Sequence, residues 1–155
     1  MKKKILVIAA ALFVFASVEA FSFGLGVRGN WGYDGIGGGS LLFSPNRDFH
    51  FGLSYYIGDV LHLGLTADWW FYEWELAGPL SLYIGAGLYG WVWLGDDVNT
   101  GLGVRVPVGL DLNPTDWLEI FLEIAPQIGV GLLPSVGISG NWISASIGIR
   151  FWIAE

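Results

Sequence analysis

The chain has 155 residues, of which 54% are hydrophobic and only 14% are charged, and its formal net charge is −7. This acidic balance argues against a protein that binds nucleic acid, and without cysteine the sequence has no disulfide and no lipoprotein lipobox. A soluble domain usually has about a quarter charged residues, so the composition argues against one.

The first predicted element is a secretory signal peptide over residues 1–20. Three lysines at 2–4 precede an apolar run over 5–18, which is too short to span a bilayer, and a small residue, Ala20, ends the segment. We predict a helical signal that is cleaved after Ala20, so that residues 21–155 form the mature domain. Cleavage would remove all three lysines and one glutamate, and the net charge of −7 would become −9.

Beyond residue 20, apolar residues alternate with a period of two, which is typical of β-strands. Over 49–57 and again over 61–71, one set of alternate positions is apolar throughout, whereas the other set mixes glycine, polar, charged and aromatic residues. The pattern predicts eight strands, at about 21–30, 36–43, 49–57, 61–72, 80–93, 101–112, 117–127 and 142–153. A longer link is expected at 73–79, between the fourth and fifth strands.

The distribution of charge decides which face of the predicted sheet is outside. Seven charged residues fall on the mixed face: Arg28, Asp68, Arg105, Asp111, Glu119, Glu123 and Arg150. An arginine that faces the lipid midplane costs about 2–4 kcal/mol, so the mixed face is expected to line a lumen. A soluble barrel of the lipocalin type would need a charged exterior, which this chain lacks.

Length and strand count together define the predicted fold class. Residues 21–155 leave room for eight strands of roughly ten residues, and an even number is usual in outer-membrane barrels. We therefore predict an all-β, eight-stranded antiparallel up-and-down transmembrane β-barrel with both termini in the periplasm. Links after odd-numbered strands would then face outward. Aromatic residues near the strand ends suggest two interfacial girdles. The one at the outer rim includes Trp31 and Tyr55, and the one at the periplasmic rim includes Phe49, Trp69, Trp117 and Phe151.

The seven inward charges are the candidate site. We expect an ion-pair network in which Arg28, Arg105 and Arg150 pair with Glu119, Glu123 and either Asp68 or Asp111. A simple turn at 113–116 would set Leu110 opposite Ile120 and bring Arg105 close to Glu123. Because an unpaired charge in a narrow lumen is costly, a structural plug is favoured over a gate or ion path.

Inward aromatic residues argue against an open pore. Nine are predicted to point into the lumen: Tyr56, Trp70, Tyr72, Tyr83, Tyr89, Trp91, Trp93, Phe121 and Trp152. An eight-stranded barrel is just wide enough to be filled by side chains, so no open water channel is expected.

No catalytic, cofactor or metal site is predicted. An outer-membrane lipid hydrolase or acyltransferase is the remote alternative, and it would need serine, histidine and an acid within hydrogen-bond reach. The two histidines, His50 and His62, fall at opposite ends of their strands, and His62 with Thr66 or Ser54 is the nearest approach to such a site. The acidic loop at 95–99 is predicted to be solvated rather than to hold a cation.

The second half of the chain resembles a family of small spirochaete outer-membrane proteins of unknown function. The resemblance covers about residues 49–153 and rests on the motifs GVRVPVGL at 103–110, LEIFLEIAP at 118–126 and SIGIRFW at 146–152. It implies an eight-stranded barrel like the membrane domain of OmpA, with no established activity. The chain departs from the usual terminal aromatic, because Ile153 and two further residues follow Trp152.

These observations predict a small integral outer-membrane barrel with a filled lumen and a structural or surface-contact role. Its expected partners are outer-membrane lipid, the barrel-assembly machinery, and a host or neighbouring surface protein. The surface partner would bind the oily segment from Ile128 to Asn141, which could instead fold over the mouth or extend strands seven and eight. The alternative function is a narrow channel or a lateral-entry transporter for small apolar solutes of the OmpW type, which the glycines at 37–39 would suit.

Overall fold

The computed structural model describes residues 22–32, 37–56, 58–139 and 143–153. The predicted signal peptide lies outside the described residues. Within them, no helix is long and apolar enough to cross a membrane. The strands are β1 (Phe23–Gly32), β2 (Gly37–Ser44), β3 (Phe49–Tyr56), β4 (Leu61–Ala77), β5 (Leu80–Leu94), β6 (Val98–Arg105), β7 (Val108–Thr115), β8 (Leu118–Leu133), β9 (Gly137–Ser139) and β10 (Ile143–Ile153).

The sheet closes on itself, since β10 pairs antiparallel with β1 from Phe23 opposite Ile153 to Gly32 opposite Ser144. β6 and β7 are two parts of one barrel strand, interrupted at Val106 and Pro107. The wall stays bonded there, because the Val106 N–H donates to Pro126 and the Pro107 carbonyl accepts from Gly85. The predicted all-β, eight-stranded antiparallel up-and-down barrel is confirmed.

Side chains alternate between an exposed apolar outer face and a buried lumen. On β8, Leu122 is 52% exposed, whereas the neighbouring Glu123 is 2% exposed. The turns β2–β3, β4–β5 and β7–β8 lie at the end where β1 begins and β10 finishes, which we call the terminal end; the links at 58–60 and 95–97 lie at the far end. Ring pairs stack on the outer face at the terminal end, Phe49 with Trp69 at 6.1 Å and Trp117 with Phe151 at 6.2 Å.

The predicted link at 73–79 is wrong, because β4 continues to Ala77 and pairs with β5 as a long hairpin. A register shift between Trp70 and Tyr72 marks a β-bulge, and the extra residue exchanges the two faces of the strand beyond it. Tyr72 was expected to point inward. It instead lies opposite the outward Ile84 and packs against Trp74, with ring centroids 4.0 Å apart.

The predicted register of the β7–β8 hairpin is also wrong. Leu110 lies opposite Leu122 rather than Ile120, because β7 continues to Thr115 and the turn falls at 116–117. The difference of two residues keeps every side chain on its predicted face, since the side-chain period of a strand is two.

β8 runs six residues beyond its predicted end at 127, to Leu133. It pairs with β6 as far as Thr100, and with β9 from Gly129 opposite Ser139 to Gly131 opposite Gly137. The segment 128–141 was expected to bind a surface partner, to fold over the mouth or to extend strands seven and eight. Over the described residues it extends the predicted seventh strand, which is β8.

The β4–β5 turn depends on Gly78, whose φ of 54° lies in the left-handed region that costs other residues about 1–2 kcal/mol. We expect Gly78→Val to lower the free energy of unfolding by about that amount. The measurement is urea unfolding of the refolded barrel, followed by tryptophan fluorescence. Gly58→Val is the control, because a Cβ at either glycine meets nothing within 4 Å and only Gly78 has a positive φ. Equal losses in both variants would contradict this account.

Candidate functional site

A carboxylate on β8 lies at the centre of the lumen. Glu123 Oε1 accepts from Arg105 Nη2 at 2.5 Å and lies 3.5 Å from Arg28 Nη1, while Glu123 Oε2 accepts from the Tyr83 hydroxyl at 3.0 Å. These donors come from β6, β1 and β5, so one carboxylate joins strands on different sides of the barrel. Burial strengthens each of these contacts, because the interior screens charge far less than water does.

The two arginines extend this cluster across the lumen. Arg105 Nε lies 3.5 Å from Asp68 Oδ1 on β4. Arg28 donates to the hydroxyl of Thr66 at 3.0 Å and to that of Ser40 at 3.4 Å. Arg28 is therefore held between a carboxylate and two neutral acceptors, and Arg105 is held between two carboxylates.

A second cluster lies closer to the terminal end. Arg150 Nη1 donates to Glu119 Oε1 at 2.5 Å, and the Trp152 indole N–H donates to Glu119 Oε2 at 2.7 Å. The Arg150 guanidinium is also 5.2 Å from the ring centroid of Trp70 and 5.1 Å from that of Phe121. Both separations are within the range of cation–π attraction.

Stacked rings fill the space between the two clusters. Trp70 stacks on Tyr83 with ring centroids 3.6 Å apart, and the ring centroid of His50 lies 3.9 Å from that of Trp70. Glycines opposite the rings make room for them, since a Cβ added at Gly148 would collide with Phe121 and one added at Gly109 would collide with Tyr83. All of these rings are buried, so at this level the lumen is occupied by side chains.

Of the seven residues in the predicted network, the structure brings six into these two clusters. Asp111 lies apart, near the β7–β8 turn, where it accepts from Asn113 Nδ2 at 2.6 Å. Tyr83 and Trp152 were expected only as fillers, and their roles as donors to carboxylates were missed. The available signal was their inward position on strands that carry or neighbour the charged residues.

Arg47 is a further residue whose contacts the sequence did not predict. From the β2–β3 turn it donates to the Asp116 carbonyl at 2.9 Å and lies 3.4 Å from Asn113 Oδ1. Its guanidinium is 4.6 Å from the Trp152 ring centroid. It thus joins two turns across the terminal end of the barrel.

One of the two histidines pairs with a serine, as the remote enzyme alternative would require. His50 Nδ1 bonds the Ser44 hydroxyl at 2.8 Å, a pair that was not expected, but Ser44 is fully buried and presents no nucleophile to a substrate. The two residues considered beside His62 also take part in the polar contacts of the lumen, since Thr66 accepts from Arg28 and Ser54 bonds Ser40 at 2.7 Å.

A metal centre finds no support in the described part of the chain, where no group of three or more His, Cys, Asp or Glu side chains could hold an ion. In the acidic loop, the side-chain oxygen of Asn99 accepts from the Trp91 indole at 3.2 Å.

The far half of the lumen is different, because it contains a cavity. The space open to the centres of water-sized groups is about 90 Å³. Its floor is formed by Arg28 and Arg105, and its rim by Tyr56, His62 and Trp93. The lumen therefore has a filled half and a hollow half.

A closed up-and-down barrel with an apolar exterior and a polar, charged interior is the architecture of small outer-membrane β-barrels. The chain is similar to the crystal structure of the N-terminal β-barrel domain of Pseudomonas aeruginosa OprF, with a TM-score of 0.56 and 19% identity over 85% of this chain and 97% of that one. It also matches Neisserial surface protein A, with a TM-score of 0.43 and 19% identity over 85% and 95% of the two chains.

No family model matches the chain, and no curated protein matches its sequence. At 19% identity, the likeness to the OprF domain shows the fold alone. The resemblance to a spirochaete family stays a prediction.

Loss of the charge on Glu123 would leave two arginines short of their partner. We expect Glu123→Gln to lower the free energy of unfolding by about 3–5 kcal/mol, as is typical when one member of a buried ion pair is removed. Urea unfolding of the refolded barrel measures the change. Glu75→Gln, at an exposed position on β4, is the control and should stay within about 0.5 kcal/mol of wild type. A Glu123→Gln barrel as stable as wild type would contradict a network centred on this carboxylate.

Proposed function

We propose that this chain is a small integral outer-membrane barrel, exported through a cleaved signal peptide and oriented with both termini in the periplasm. Its fold supports this, as does its outer face, on which exposed leucine, isoleucine, valine and aromatic side chains run from one end to the other. The buried charges support it as well, because the same side chains turned toward lipid would each cost about 2–4 kcal/mol if basic and somewhat less if acidic.

Within the membrane the barrel is a closed, non-conducting structure rather than a pore. One observation carries this proposal: rings and paired charges, all buried, fill the lumen at the level of Trp70, Phe121 and Arg150. A protein of this kind has a structural role as a membrane anchor, or a surface-contact role through the turns exposed at the ends of the barrel.

The channel and transporter alternatives draw less support. Lateral entry needs a gap in the wall, and the glycines of β2 were the suggested place for one. Gly38 and Gly39 lie opposite residues of β1 on one side and of β3 on the other. The described wall is therefore continuous at these glycines.

A surface-contact role is supported by the far end of the barrel, which faces outward in this orientation. The β8–β9 hairpin displays Val136 and Ile138 at 77% and 74% exposure, with Leu132 and Leu133 beside them. Apolar residues this exposed are typical of surfaces that another protein covers. We propose a neighbouring or host surface protein as the partner of this hairpin.

Conductance tests the closed lumen. Refolded residues 21–155 in a planar bilayer should give no stepwise current. Removal of two central rings in Trp70→Ala/Phe121→Ala should open a conducting path, whereas Trp69→Ala on the outer face should not. Heat modifiability on gels checks that each variant is folded. Steady channels from the wild-type barrel would overturn the proposal.

The absence of cysteine makes the orientation directly testable. Ser135→Cys, in the β8–β9 link, should react with an impermeant maleimide on intact cells. Thr115→Cys, at the terminal end, should react only after the outer membrane is permeabilised. The reverse pattern would place the termini outside, and labelling of neither variant in permeabilised cells would contradict the exposure of both turns.

A further inference from the structure

We propose that the hollow half of the lumen binds a pyranose ring, presented as a free sugar or as the end of a glycan. The inference rests on the proposed orientation, in which this half opens to the outside. It concerns the cavity of about 90 Å³ above Arg28 and Arg105, which the closed-lumen function does not use.

The mouth of the cavity is built from aromatic rings. His62 lies between Tyr56 and Trp93, with ring centroids at 4.3 and 4.5 Å, and the three rings form a row along β3, β4 and β5. Flat rings offer the C–H faces of a sugar a large contact area, and they lose little side-chain entropy in doing so.

Two further rings form one wall, and glycines keep them out of the cavity. Tyr89 and Trp91 pack with centroids 5.4 Å apart. A Cβ added at Gly103 would come within 2.5 Å of the Tyr89 ring, and one added at Gly129 would lie 3.0 Å from Trp91. Because these glycines let the rings lie against the barrel wall, the space between the walls stays open.

The remaining lining supplies neutral hydrogen-bonding groups. Asn30, Ser54, Gln127, Ser144 and Ser146 all border the cavity. The indole N–H of Trp93 is buried and has no acceptor among the described residues. A buried donor without a partner is destabilising, and a ligand oxygen that accepts from it would remove that cost.

The charge of the floor argues for a neutral ligand. Arg28 and Arg105 face Glu123 and Asp68, so two cations are balanced by two carboxylates. A free anion or cation would meet no net opposite charge there. An apolar solute would leave the buried indole N–H of Trp93 without an acceptor. A polyhydroxyl ring satisfies both the aromatic and the polar parts of the lining.

Tryptophan fluorescence of the refolded barrel in a sugar-free detergent gives the test. The probes are glucose, galactose, mannose and N-acetylglucosamine, with rough-type lipopolysaccharide in lipid vesicles as a separate arm. We expect a saturable change with at least one sugar, with Kd on the order of 1 mM, a strength reasonable for a ligand of this size.

Three variants locate the binding. Gly64 lines the cavity and a Cβ there lies 3.4 Å from its nearest neighbours, so Gly64→Leu should fill the space and weaken binding at least about tenfold. Gly39→Leu adds the same side chain to the outer face of β2 and should leave binding unchanged. Trp93→Phe removes the unpaired N–H, and it serves as the second test if Gly64→Leu fails the gel assay for folding.

The arms separate the source of the sugar. Binding of free sugars with no response to vesicles indicates a soluble ligand, and a vesicle response that Gly64→Leu abolishes indicates the glycolipid. A vesicle response that survives Gly64→Leu, or no saturable response to any probe, overturns the proposal. A conducting wild-type barrel would overturn the closed-lumen function instead, and it would leave sugar binding measurable.

Discussion

A charge at the centre of this barrel can neither face outward nor remain single, and the middle of the lumen is organised around that constraint. Glu123 meets it at the centre, where Arg105, Arg28 and Tyr83 reach one carboxylate from three other strands. A strand that slipped by two residues would keep its faces but would separate these groups. Buried ion pairs add little net stability over apolar side chains of similar volume. Their effect here is on specificity, because the buried charges are paired in one register of the closed sheet and would be separated in registers shifted by two residues.

The same construction gives the two halves of the lumen different properties. Near the terminal end, buried rings occupy the lumen, and Arg150 lies among them with Glu119 as its counter-charge. Toward the far end, Tyr89 and Trp91 lie along the wall, and the space between the walls remains open. Inward glycines make room for the rings in both halves.

The alternation of residues predicted the fold because a period of two is a local property that each strand carries by itself. It also placed the seven charges inside, including Asp111, which proved to lie outside the two clusters. The bulge beyond Trp70 and the later turn after β7 were missed, because each depends on pairing with a neighbouring strand. The roles of Tyr83 and Arg47 were missed for a related reason. Their partners lie 40 or more residues away in the sequence, and a local pattern of residues does not indicate contacts at that separation.

The close approach of Phe121 to Gly148 constrains how this sequence can change over time. Because a Cβ at 148 collides with the ring, the glycine can gain a side chain only after the ring opposite has become smaller. The two positions then share one fixed volume, and substitutions at them should be accepted in a set order. Each ring that lies over a glycine makes such a pair, so much of the lumen is expected to evolve by paired exchange rather than one residue at a time.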